Sequence, residues 1–136
     1  MPARIALFAA ALWWGSLSVI GFVVVPMLFA HLPTPAVAGQ MAARLFSMQS
    51  WVSLLCGLSL LMLLKRGGAE RTGATLFVVM VGLLLALLLE YAVAPRILTR
   101  ENLRLWHGAG TAIYSLQWLC AGVVLWRQAG ATRAQS

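Results

Sequence analysis

Residues 83–96 read LLLALLLEYAVAPR, a leucine-rich run that carries Glu90 near its end and closes on Pro95-Arg96. The chain has only three acidic residues, and Asp is absent. A carboxylate in a segment suited to lipid is costly, so its setting decides how the whole chain is read.

Three further apolar runs have the same character: 5–30, 45–64 and 105–126. Each supplies about the ~20 residues needed to cross a hydrocarbon core as a helix. The chain of 136 residues is 62% hydrophobic and 10% charged, with mean hydropathy +0.89. A soluble domain would carry roughly a quarter charged residues, so this composition cannot cover a soluble surface. The short alternating segments of a membrane β-barrel are missing, and backbone groups in lipid must be satisfied internally. The fold class expected is an all-α integral membrane protein, a bundle of four transmembrane helices in a single domain, 1–136. The spans fall at about 4–30, 36–65, 72–95 and 103–127, with a polar, disordered tail at 128–136. The first run is longer than the ~7–15 residues of a signal-peptide core and is read as a retained helix.

The net charge of +7 sits at helix ends rather than in a basic stripe between aromatics, so orientation explains it better than nucleic acid does. With four crossings, Arg4, Lys65, Arg66, Arg71, Arg127 and Arg133 share one side, and Arg44, Arg96, Arg100 and Arg104 the other. The first connection, HLPTPAVAGQ, has neither Lys nor Arg. Both termini are therefore expected in the cytoplasm of a multi-pass protein of the cell inner membrane. The bilayer is the first partner, with a membrane protein or a second copy as further candidates.

Along the chain, Trp13 and Trp14 fit an interfacial belt, and Ala11, Gly15, Ser18 and Gly21 offer a small-residue surface for close helix packing. Pro26 predicts a kink. Gln40, Arg44, Ser47 and Trp51 share one face of the second helix, while KRGGAERTG is the clearest break. A short interfacial helix is expected in PRILTRENLR. VVVPMLF in the first helix echoes AVAPRIL in the third, and MQSWVSLLCG in the second echoes SLQWLCAG in the fourth, as two related hairpins would. Cys56 and Cys120 match no metal or redox spacing and read as small packing residues.

Topology places Arg44, Glu90 and His107, from three helices, in one outer layer. An Arg44–Glu90 pair with His107 at its edge, and with Gln40, Gln49, Tyr91 and Tyr114 completing a network, forms the candidate polar cluster. Three roles are open to it. It can fix helix register, as buried ion pairs do. Glu90 can snorkel to the interface. Or the cluster can serve a proton, a ligand or a metal. Haem is disfavoured, because His31, the other histidine, lies in a loop. Met27, Met41 and Met48 have the ligand type for Cu(I), yet read better as packing or lipid-facing residues. No nucleophile–base pair, phosphate loop or paired carboxylates occur, so no catalytic residue, cofactor or metal is expected. The function expected is non-enzymatic: an accessory or small-ligand-handling membrane component. A cofactor- or metal-binding protein, or a transporter or channel subunit, are the alternatives.

WWGSLSVIGFVVVPMLFAHLP, AARLFSMQSW, APRI and LWHGAGTAIYSLQW occur in this order. Together they resemble the small membrane family called domain of unknown function 4149, which is similar to eukaryotic transmembrane protein 205. The most specific pieces are Phe29 with Leu32-Pro33, Leu45-Phe46, Pro95-Arg96 and His107-Gly108; Tyr114 stands where the family often has Asn. The resemblance implies a four-helix membrane protein and no catalytic activity.

Overall fold

A computed structural model describes residues 2–66 and 72–134. The described residues form four helices: α1 (Pro2–His31), α2 (Pro35–Arg66), α3 (Thr72–Leu98) and α4 (Leu103–Ala134). All are long and apolar enough to cross a membrane. Each packs against its neighbours in sequence, and α1 and α4 close the ring. The described residues contain no strand. Much of the expected loop at 65–73, including Glu70 and Arg71, lies outside the described residues.

The turns come from local chemistry. Leu32 is extended, as a residue before proline prefers, and its N–H donates to the Leu28 carbonyl at 2.9 Å. Thr34 Oγ1 then accepts the Val37 N–H at 3.3 Å, and Pro35 takes the first helical position, where its missing N–H costs nothing. The second described turn uses left-handed backbone at Arg100 (φ 58°) and Asn102 (φ 37°). No separate interfacial helix forms there: Pro95 to Leu98 simply continue α3. Nor does α4 stop at 127. It runs on to Ala134, with Gln128 buried and its carbonyl accepting the Thr132 hydroxyl at 2.9 Å.

Two helices are locally widened to the π form, α1 at Ile20–Val24 and α3 at Leu89–Val93. Both π turns end two residues before a proline, Pro26 and Pro95. The Val25 N–H reaches back to the Ile20 carbonyl, and the Ala94 N–H to the Leu89 carbonyl. A helical proline collides with the carbonyl four residues earlier, and widening the turn ahead of it relieves that collision. The sequence echo between these segments is thus an echo in backbone geometry.

The core lies toward the end that holds both termini: Ala6, Ala10, Trp13 and Leu17 of α1, Cys56 and Leu60 of α2, Val79 and Leu83 of α3, Ala121 and Val124 of α4. Trp13 is completely buried rather than part of an interfacial belt. Gly82 makes room for it, since a Cβ there would sit 2.6 Å from the Trp13 ring. Gly15, expected at a helix contact, faces open space, whereas neighbours pack closely against Gly21, Gly57, Gly82, Gly110 and Gly122. Phe8, Leu12, Trp51, Leu55, Phe77, Met80 and Trp126 point outward, each more than half exposed. Such a surface is unfavourable in water and ordinary against lipid.

Candidate functional site

At the opposite end the four helices part around a cavity of about 300 Å³. Both π turns line it, α1 through Gly21 and Phe22, and α3 through Leu89, Glu90 and Val93. The first third of α2 contributes Ala42, Ala43 and Phe46, and the start of α4 adds His107, Gly110 and Tyr114. Small residues on α2 and α4 therefore face bulged backbone on α1 and α3, which leaves space a regular bundle would fill.

Glu90 lies within the π turn of α3. It is the second of the turn's five residues, on the stretch of α3 that borders the cavity. There the Ser47 hydroxyl donates to Glu90 Oε1 at 2.7 Å. Among the described residues no ion pair or hydrogen bond joins Arg44 to Glu90. Arg44 is exposed and is not part of the cavity wall. A hydroxyl donor on a facing helix serves a half-buried carboxylate at lower desolvation cost than burying a guanidinium beside it.

Tyr114 spans the cavity's inner edge. Its hydroxyl donates to the Leu17 carbonyl at 2.7 Å, one turn before Gly21. The ring packs edge-on to Phe46, with centroids 5.2 Å apart. Gly21 permits this contact, because a Cβ there would lie 2.7 Å from the Tyr114 ring. A carbonyl beside a π turn is poorly served by its own helix, and the tyrosine supplies a donor.

Of the residues expected in one cluster, the structure brings Glu90, His107 and Tyr114 to the same cavity and leaves Arg44 outside it. Gln49 belongs to a different layer, deeper in the bundle. Its Nε2 donates to Ser16 Oγ at 3.0 Å and to Ser53 Oγ at 3.3 Å, and Gln117 Nε2 donates to Ser53 Oγ at 2.8 Å. Gln40 and Tyr91 are exposed. Sequence reasoning missed Ser47 as the partner of Glu90, although the polar face Gln40–Arg44–Ser47–Trp51 already pointed to it. It also missed Gln117, the buried amide that ties α4 to α2.

Cys56 is buried and Cys120 partly so, and both are free thiols. His31 ends α1, its Nδ1 3.0 Å from the Met27 carbonyl. Among the described residues no three His, Cys, Asp or Glu side chains come together as metal ligands would. At the rim Arg96 stacks over the Trp106 ring, 4.4 Å from its centroid.

Four long apolar helices, lipid-suited outer faces and a largely apolar core with a few buried polar side chains define an all-helical protein that fits a multi-pass membrane class. Within that class the chain belongs to the family described as Domain of unknown function (DUF4149), whose model matches residues 8–105. Both π turns, Ser47 and Glu90 fall inside the match, while His107 and Tyr114 lie beyond it. Comparison with curated proteins gave no match, and comparison with solved structures gave none either.

Proposed function

We propose that the protein is a non-enzymatic, multi-pass component of the cell inner membrane that handles a small ligand in the cavity between its π turns. The cavity itself carries this reading. It is predominantly apolar, and it opens where two helices are bulged at matching places. Pockets of this kind, with a few convergent polar groups, are the usual form of small-molecule sites. The cytoplasmic placement of both termini is part of the proposal and rests on the six-to-four distribution of Lys and Arg and the uncharged first connection. A homo-oligomer or a membrane-protein partner would fit the wide apolar outer surface.

The test uses protein in lipid nanodiscs taken directly from its native membrane and analysed by mass spectrometry. Wild-type protein should retain a stoichiometric small molecule. Ala43→Phe, which places a ring in the cavity, should lose it while melting at a similar temperature. The same molecule on both proteins, or none on either, would remove the cavity as a ligand site.

A further inference from the structure

The chain carries ten Lys and Arg against three acidic residues, yet the cavity reverses that balance. Among the described residues no Lys or Arg lines it, and Glu90 does. His107 is the other titratable group in the wall besides Tyr114. Outside it, Arg44 is exposed one turn before Ser47, and Arg96 is engaged over Trp106. A single carboxylate in an apolar surround attracts positive charge more strongly than it would in water.

The rest of the wall narrows the kind of cation. Phe22, Phe29, Phe46 and Tyr114 contribute rings. The hydroxyls there are committed to helix backbone: Ser50 donates to the Phe46 carbonyl at 3.1 Å, Thr111 to the His107 carbonyl at 2.8 Å and Ser115 to the Thr111 carbonyl at 2.8 Å. The Tyr114 hydroxyl is committed to Leu17. A small inorganic cation needs about six or more oxygen ligands in place of its water. This wall is mostly apolar, with one carboxylate and the remaining lone pairs of a few hydroxyls, and its rings replace none of the water such an ion would shed. A weakly hydrated organic cation needs only a counter-charge and aromatic faces, which is what the wall provides.

We propose that the cavity binds a hydrophobic organic cation, an ammonium group within an apolar shell, with Glu90 as counter-charge and Phe22, Phe29, Phe46 and Tyr114 as walls. This deepens the small-ligand reading and rests on it. Ser47 is a positioning residue: its hydroxyl holds Glu90 Oε1 toward α2 and leaves Oε2 for the ligand.

The probe pair is benzyltrimethylammonium and neopentylbenzene, which share a shape and differ in charge. Binding is measured in phosphatidylglycerol nanodiscs, with protein-free discs subtracted. Wild-type protein should bind the cation at least about tenfold more tightly than the neutral compound, a comparison that needs no variant. Glu90→Gln should weaken the cation by about tenfold or more and leave neopentylbenzene within about twofold. Ala43→Phe should weaken both. Equal binding of the two compounds by wild-type protein, unchanged by Glu90→Gln, would overturn the cation and leave the cavity standing. Binding of neither compound, or binding indifferent to Ala43→Phe, would take the cavity reading with it. Repeating the titration in phosphatidylcholine discs identifies the source. Loss of probe binding there assigns the site to a lipid headgroup ammonium, and retention assigns it to a free cation.

Discussion

The two ends of the bundle are built from the same residue types and do opposite things with them. Toward the termini the helices are regular, and Trp13, Leu17, Leu60, Val79 and Val124 fill the centre completely. Glycine there admits a neighbour, as Gly82 admits Trp13. Toward the other end two proline-linked π turns spread the backbone, and comparable small residues, Ala42 and Ala43, border a void. Where the local hydrogen-bond ladder stays in register, packing closes; where a proline forces it wider, a cavity remains. Interiors tolerate few voids larger than a water molecule, so one of this size at matching bulges points to use rather than poor packing.

The largest expected effect tests the packed end. Trp13→Ala should cost about 3–5 kcal/mol, the usual penalty for removing a buried aromatic. Trp13 Nε1 has no hydrogen-bond partner, so the loss is one of packing. Phe29→Ala, at a half-exposed residue of the cavity wall, should cost less than half as much. Thermal melts of the purified protein in detergent compare the two, and equal losses would erase the distinction between the ends.

A smaller contrast separates two glycines on one helix. Gly21→Ala pushes a methyl group into a Tyr114 ring anchored by its bond to Leu17, and should destabilise by about 1–2 kcal/mol. Gly15→Ala meets nothing within 4 Å and should gain up to about 1 kcal/mol of helix propensity. The same melts should move in opposite directions. A stabilising Gly21→Ala would mean that the Tyr114 contact is loose.

The smallest effect concerns Glu90. In double-mutant cycles, Glu90→Gln with Ser47→Ala should show coupling of about 0.5 kcal/mol or more. Glu90→Gln with Arg44→Gln should be additive within about 0.3–0.5 kcal/mol. Coupling to Arg44 and none to Ser47 would restore the ion pair that the sequence suggested.

The features legible in the sequence are those that composition can encode. Four apolar runs of spanning length show plainly, because lipid demands them whatever packs against them. Glu90 was legible for the same reason: a carboxylate directly after LLLALLL is conspicuous. Its partner was not, because depth alone placed Arg44 beside it, while the face of α2 that meets Glu90 carries Ser47 and leaves Arg44 exposed. Gly15 and Gly21 look alike in the sequence, and only the residue opposite, Tyr114 or nothing, tells them apart. Trp13 near a helix start reads as an interfacial anchor until Gly82 is seen to make room for it inside. The proline echo at 26 and 95 was visible, but its consequence, a wider turn rather than a simple kink, depends on hydrogen bonds that letters do not carry.

The contrast between a filled end and a hollow one is tested most directly by adding the same side chain to each. Ala10 is completely buried in the core of α1, and Ala43 borders the cavity on α2. Ala10→Leu should overpack its surroundings and cost at least about 1–3 kcal/mol. Ala43→Leu should enter existing space and leave the stability of the protein within about 1 kcal/mol of wild type, or raise it. Equal destabilisation by the two substitutions would contradict the account, because it would mean that the end between the π turns is as tightly packed as the core around Trp13.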